Sequence, residues 1–186
     1  GWNQKWRRPL RDAMDYLRDE IIPLCQKFGK KYFKDFLDAR MNYIDVILDR
    51  SELSVKNFQT KYFIEGLDDT SKIRAMELLE MQRHAMLMYT SCGWFFSDIS
   101  GIETTQIMKY AARVIQLAKN FTKKDLETPY LDILSNAQSN YKEMGNGKEI
   151  YNKYVKPSVV TLKQIVSLWA ISSLYQEVED EEDVYC

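Results

Sequence analysis

Apolar residues recur along most of the chain at spacings of three and four, which is the periodicity of amphipathic α-helices. In the first such segment the pattern predicts a helix from Pro9 toward Phe28, kinked at Pro23 and ended by Gly29. Almost no segment alternates apolar and polar residues with the period of two that is typical of strands. We therefore expect an all-α fold.

The middle of the chain predicts three more helical regions. These are a long or broken helix over residues 31–51, a shorter helix over 51–63, and a central helix over 67–93. The central helix is expected to begin at capping residues and to end at Gly93.

The next helix is predicted to start at an S-x-x-E capping box formed by Ser100 and Glu103. Its apolar residues share one face and are expected to be buried: Ile107, Ala111, Val114, Ile115 and Ala118. An interrupted helix over 123–140 and a pair of helices over 147–175, broken near Pro157, complete the pattern. The expected architecture is an irregular bundle of about six to eight helices with no sheet.

Three consecutive aromatic residues, Trp94, Phe95 and Phe96, occupy the predicted turn between the last two long helices. A buried ring at the end of a bundle would pin such a loop. Three rings cannot easily point the same way, so we expect at least one to face a partner surface or a cleft. We call residues 93–103 the aromatic turn.

Composition narrows the classes of protein to consider. The chain has 186 residues, enough for one domain, and 26 basic against 27 acidic residues give a net charge of -1. Such a balance provides no field for nucleic acid or an anionic membrane, so neither is predicted as a partner. There is no apolar run of about 20 residues and no signal segment at the start.

The ends of the chain and its cysteines carry further expectations. Three widely separated cysteines fit neither a disulfide framework nor a zinc pair, which favours the cytoplasm. Because the chain opens at Gly1 without methionine, we expect a fragment of a longer protein. Residues 1–176 are predicted to form one helical domain, and residues 177–186 an acidic, frayed tail.

Candidate chemistry is sparse. The single histidine, His84, shares a helix face with Glu80, but no second histidine exists to complete a common metal-ligand set. A hydrogen-bonded histidine is therefore favoured, and neither a metal nor a cofactor is predicted. Nucleophile-elbow, phosphate-loop and dinucleotide motifs are missing, so no residue is assigned as catalytic. A small independent enzyme using Glu80, His84 and Glu103 is the weakest alternative.

Two carboxylates near the aromatic turn, Asp98 and Glu103, could in principle act as a pair in glycoside chemistry. The pattern favours simpler roles. Glu103 is expected to reach back to the amide of Ser100 as a helix cap, and Asp98 to accept local backbone hydrogen bonds in the turn.

Three blocks of the chain carry a resemblance to a known family. They are GWNQKWRRPLRDAMDYLRDE, ARMNYIDVILDRS and HAMLMYTSCGWFFSDISGIETTQIMKYAARVIQLA. Together they resemble the helical domain of unknown function that follows the catalytic barrel in bacterial proteins related to family 57 glycoside hydrolases.

The resemblance implies that two parts of one polypeptide have different functions. Family 57 enzymes act on α-glucans with retention. Their catalytic carboxylates lie on the upstream barrel. A helical region packs on that barrel and helps to form the wall of the substrate cleft. This chain would then be a helical accessory domain that is not catalytic alone. Its expected partner is the barrel, and an oligosaccharide is a further candidate partner. The candidates for lining the cleft are Trp94, Phe95, Asp98 and Glu103. The alternative is a structural or interaction module that touches no sugar.

Overall fold

The computed structural model describes residues 2–175 of the chain. Within them lie ten α-helical segments, eight of which have five or more residues, and the only strand-like pairings are two isolated bridges. The predicted all-α fold of six to eight helices is therefore confirmed. In chain order the helices are α1 (Arg7–Tyr32), α2 (Phe36–Asn42), α3 (Ile44–Leu48), α4 (Glu52–Tyr62), α5 (Asp69–Leu87), α6 (Cys92–Phe95), α7 (Ile102–Ala118), α8 (Glu127–Leu134), α9 (Gly147–Ile150) and α10 (Leu162–Ser172).

The hydrophobic core is formed mainly by α1, α5, α7 and α8, which contribute to one cluster of buried residues. The predicted inner face of α7 is confirmed, because the five apolar residues assigned to that face are buried: Ile107, Ala111, Val114, Ile115 and Ala118. A helix with one such apolar stripe buries it against its neighbours and leaves polar residues in water. The helix α10 differs, since none of its residues is buried.

Two predicted helix ends are wrong. Helix α1 does not end at Gly29 but continues to Tyr32, and Gly29 packs against the ring of Phe36, where a Cβ would lie 2.6 Å from the Cγ atom. Helix α5 ends at Leu87, and Gly93 lies inside the separate short helix α6. The region 31–51, predicted to be a long or a broken helix, is broken into α2 and α3.

Other predictions concern the two ends of the chain. The break near Pro157 is confirmed, since a π-helical turn (Tyr151–Val155) and a 3₁₀ turn (Lys156–Ser158) separate α9 from α10. The predicted acidic tail, 177–186, lies outside the described residues, and the domain boundary at 176 stays a prediction. Within the described range, no helix is both long and apolar enough to cross a membrane.

Candidate functional site

The aromatic turn is organised around the carboxylate of Asp98, which is 5% exposed. It accepts four hydrogen bonds: from the backbone N–H and the hydroxyl of Ser100 at 2.9 and 2.7 Å, from the hydroxyl of Ser139 at 2.8 Å, and from the backbone N–H of Asn140 at 2.6 Å. The local hydrogen bonds were expected from the turn. The contacts with Ser139 and Asn140 tie the turn to a segment 40 residues later in the chain, and local sequence patterns do not indicate them.

Hydrogen bonding also determines the ionisation of Asp98. Burial alone would raise the pKa of its carboxyl group, but the hydrogen bonds donated by Ser100, Asn140 and Ser139 outweigh burial and lower the pKa below its ordinary value. The group is therefore an ionised anchor at neutral pH. Both of its oxygens accept hydrogen bonds within the protein, which leaves it a structural role in the turn.

The N-terminal segment holds the other side of the turn. Trp6 is 1% exposed, and its indole N–H donates to the carbonyl of Ser97 over 3.3 Å. The guanidinium of Arg7 donates to the carbonyls of Phe95 and Phe96 at 3.0 and 3.3 Å. These bonds satisfy backbone groups that a loop would otherwise leave to water, and they fix the path of the chain on either side of the rings.

The side chain of Asn140 links its own segment to the N-terminal segment and to the aromatic turn. Its amide donates to the carbonyls of Asn3 and Ser97, each over 3.0 Å, and its own oxygen accepts from the backbone N–H of Asn3 at 2.9 Å. Residues 2–7, 94–98 and 139–141 are therefore held together by specific hydrogen bonds, although as many as 137 positions separate them in the sequence.

The three consecutive rings have different environments. Trp94 is half-buried, donates its indole N–H to the carbonyl of Met88 over 3.3 Å, and stacks on Tyr89 with ring planes 5° apart. Phe95 and Phe96 are 77% and 44% exposed and lie edge to face with centroids 5.4 Å apart. The rings available to a ligand or partner are therefore Phe95 and Phe96.

A second exposed pair of rings flanks the same hydrogen-bond network. Trp2 and Tyr141 are 56% and 40% exposed and also meet edge to face, with centroids 4.8 Å apart. Each is the chain neighbour of an asparagine in the network, Asn3 or Asn140. Sequence reasoning missed both rings, because nothing in the local pattern places them beside the turn. We call Trp2, Phe95, Phe96 and Tyr141 the aromatic surface.

The predicted capping box at the start of α7 is wrong. The N-cap residue is Gly101, which has no side chain to cap with, and Ser100 donates its N–H and its hydroxyl to Asp98 instead. Glu103 lies half-buried in the first turn of α7, where a negative charge interacts favourably with the helix dipole. Asp98 and Glu103 thus have separate local roles.

The only histidine behaves as predicted. The Nδ1 atom of His84 lies 2.9 Å from the backbone oxygen of Glu80, and burial lowers the pKa of the imidazole. The carboxylate of Glu80 accepts hydrogen bonds from Tyr43, Arg50 and Arg83. Across residues 2–175, no group of three or more His, Cys, Asp or Glu side chains is arranged to hold a metal ion.

The close approach of α6 to α7 supports a first prediction. A Cβ on Gly93 would lie 2.4 Å from the Cγ2 atom of Ile107, and the carbonyl of Gly93 accepts a hydrogen bond from the buried hydroxyl of Thr104 at 2.8 Å. We expect Gly93→Ala to lower the free energy of unfolding by about 2 kcal/mol, because overpacking a core costs this order of energy. Urea denaturation followed by circular dichroism measures the change.

A double-mutant cycle provides the control for this prediction. Ile107→Ala removes the atoms that the new methyl group would meet, so Gly93→Ala should cost much less in the Ile107→Ala background than in the wild type. Equal costs in both backgrounds would contradict the packing argument.

Comparison with known families and proteins completes the description of the site. The model of one protein family, described as a domain of unknown function, DUF3536, matches residues 2–186. That range includes all three segments that meet at the aromatic surface. No curated protein and no solved structure matches the chain.

Proposed function

We propose that this chain, which belongs to the family of domains of unknown function described as DUF3536, is the helical accessory domain of a carbohydrate-active protein related to family 57 glycoside hydrolases. In this proposal it packs on an upstream catalytic barrel of the same polypeptide, and the barrel carries the reaction. The aromatic surface helps to form the cleft that binds an α-glucan. The exposure of four rings in one hydrogen-bonded region is the observation that carries the proposal.

Exposed rings of this kind have a use in binding. Large apolar side chains that remain in water at one place on a protein usually mark an interaction site. The flat apolar face of an aromatic ring matches the face of a pyranose that presents C–H groups, and Trp2 and Tyr141 add a polar edge that can hydrogen-bond to hydroxyl groups. Phe95 and Phe96 provide the most exposed aromatic rings of the turn.

The rings are also held in place before any ligand binds. Asp98 anchors the turn through partly buried hydrogen bonds, and Arg7 donates to the carbonyls of Phe95 and Phe96. A site whose backbone is already ordered loses less conformational entropy on binding, which favours affinity.

The resemblance to proteins related to family 57 gives the substrate class. The block that resembles them most extensively, residues 84–118, contains Trp94, Phe95, Asp98 and Glu103. With the geometry known, these four residues divide into two groups: Phe95 faces outward as a candidate sugar contact, while Trp94 and Asp98 support the turn and Glu103 begins α7. Free thiols at Cys25 and Cys92 support a cytoplasmic location.

A second candidate function is a structural or interaction module that touches no sugar. The observation that favours it is a set of large apolar side chains that are exposed away from the aromatic surface. They lie on α2, α3 and α10: Leu37, Met41, Ile44, Leu48, Leu162, Val166, Leu168, Trp169 and Ile171. Such residues fit a contact with a neighbouring domain or a second copy.

Binding of maltoheptaose to the full-length parent protein tests the leading proposal. We expect the double variant Phe95→Ser/Phe96→Ser to weaken binding by about tenfold or more, because removing a central aromatic contact typically costs at least about 1.4 kcal/mol. Thermal stability should change little, since both rings are exposed. Isothermal titration calorimetry measures the dissociation constant.

The matched control replaces two exposed apolar residues on a different surface, Leu37→Ser/Met41→Ser, which are 65% and 75% exposed. This control should bind maltoheptaose as tightly as the wild type. If Phe95→Ser/Phe96→Ser binds normally while the parent protein becomes less stable to heat, the interaction module is the correct function.

A further inference from the structure

A second concave site lies on a part of the molecule that includes no residue of the aromatic surface. It is a cleft of about 1030 Å³ between α5, α7 and a third part formed by α10 with the segment that leads into it. This volume is at the upper end of the range that small-molecule sites occupy. Its walls include side chains from all three parts: Arg83, His84, Lys109, Arg113, Ile165 and Leu168.

The polar wall of the cleft is strongly cationic. It contains four basic side chains and a single carboxylate, Glu80: the basic residues are Arg50, Arg83, Lys109 and Arg113. The charge of Glu80 is already matched, because Arg50 and Arg83 lie 3.0 and 3.1 Å from its oxygens.

Two positive charges on α7 remain without a described counter-charge. Lys109 and Arg113 are four residues apart, so they share one helix face, and among residues 2–175 neither forms an ion pair with a carboxylate. Like charges at this spacing destabilise a helix. An anion bound between them would relieve that repulsion.

The guanidinium of Arg113 is held in position by its neighbours. It donates to the side-chain oxygen of Gln116 at 2.6 Å, and the amide of Gln116 donates to the carbonyl of Val160 at 2.8 Å. One nitrogen of the guanidinium is thus fixed, and the others can donate to a ligand. A planar guanidinium held in this way suits the oxygens of a phosphate or a carboxylate.

The opposite wall of the cleft is apolar. It is formed by Val159 and Val160, which precede α10, and by Ile165 and Leu168 of α10. Leu168 is 66% exposed and Val160 is 55% exposed, so an apolar group in the cleft would remove both from water. A ligand that matches both walls has a charged end and an apolar end.

We propose that this cleft binds a phosphate monoester that carries an apolar substituent. The phosphate lies between Lys109 and Arg113, and the substituent lies against Ile165 and Leu168. A phosphate monoester has a charge between about -1.5 and -2 at neutral pH, which matches two cations that form no ion pair within residues 2–175 better than the single charge of a carboxylate does. The site is independent of the proposed glucan cleft.

Hexyl phosphate, titrated into the 186-residue chain in a calorimeter, tests the proposal. We expect the variant Lys109→Gln/Arg113→Gln to weaken binding by about tenfold or more, because charge-assisted hydrogen bonds to phosphate are lost. The matched control is Lys119→Gln/Lys123→Gln, which removes the same charge from exposed lysines outside the cleft and should change the dissociation constant less than about twofold. Inorganic phosphate should bind about tenfold more weakly than hexyl phosphate, because it lacks the apolar group.

A further variant keeps the test decisive if the double substitution disturbs the fold. Leu168→Glu places a negative charge on the exposed wall of α10, where no residue is buried, and should weaken hexyl phosphate binding by about tenfold. The proposal is overturned if hexyl phosphate does not bind, or if the control variant weakens binding as much as the cleft variant. Equally tight binding of hexanoate would reject a phosphate ligand in favour of a carboxylate.

Discussion

Replacing Trp6 by alanine is expected to lower the free energy of unfolding by about 4 kcal/mol, the largest single effect that we predict for this protein. Trp6 is 1% exposed at the start of α1, so its removal leaves a cavity and exposes apolar neighbours. The substitution also removes the indole N–H that holds the carbonyl of Ser97. Urea denaturation measures the change in stability.

Two other substitutions separate the contributions to this effect. Trp6→Phe keeps most of the ring but lacks the N–H donor, and it should cost about 1–2 kcal/mol. Trp2→Ala removes the exposed tryptophan of the N-terminal segment, which contacts Tyr141. This substitution should lower the free energy of unfolding by about 1 kcal/mol or less. A cost for Trp6→Ala no greater than that for Trp2→Ala would show that the N-terminal segment is not part of the core.

The second large effect is expected at Asp98. Asp98→Ala should destabilise the protein by about 3 kcal/mol at pH 7, because it leaves half-buried donors of Ser100, Ser139 and Asn140 without an acceptor. The matched control is Asp12→Ala, whose carboxylate pairs with Arg8 on the surface and should contribute less than about 1 kcal/mol. Equal destabilisation by both substitutions would contradict the anchoring role of Asp98.

The pH dependence of stability provides an independent test of the same carboxylate. Because the pKa of Asp98 is lower in the folded protein than its ordinary value, the ionised form stabilises the fold. This stabilisation is fully present above the unfolded pKa of about 3.9 and is lost as the pH falls through the lower, folded pKa. The stability difference between wild type and Asp98→Ala should therefore narrow in acid. Parallel stability curves for the two proteins down to pH 2 would contradict this linkage.

The helices could be predicted from the sequence to the extent that their determinants are local. The inner face of α7 follows from apolar spacing alone, and the capping residues before α5 include Asp68, whose side chain accepts from the N–H of Ser71. Local periodicity does not reveal that a glycine inside a helix is needed for a close contact. Gly29 against Phe36 and Gly93 against Ile107 are of this kind, and both were predicted to end helices.

The candidate site also depends on long-range contacts that local sequence patterns do not predict. Asp98 was expected to bond locally, and it does so through Ser100, but its bonds to Ser139 and Asn140 depend on how α8 and the following loop are placed. The predicted cap at Ser100 is wrong because the backbone N–H of Ser100 donates to Asp98 and not to Glu103, and the N-cap residue is Gly101. The pairing of Trp2 with Tyr141 could not be predicted, since it joins residues that are far apart in the sequence.

The aromatic surface and the cleft between α5, α7 and α10 must be tested on different proteins. The cleft can be studied on the chain alone, because α5, α7 and α10 all belong to it. The proposal places a second wall of the glucan cleft on an upstream barrel, so that proposal is tested on the parent protein.

A crystal structure of the parent protein with a bound maltooligosaccharide is the most direct measurement of the central proposal, that the aromatic surface contacts a glucan. We predict that the ring of Phe95 or Phe96 packs within about 4 Å of a sugar ring, with Trp2 or Tyr141 at the same cleft. A structure in which the sugar binds elsewhere, while these rings are buried against another domain or left in solvent, would contradict the proposal.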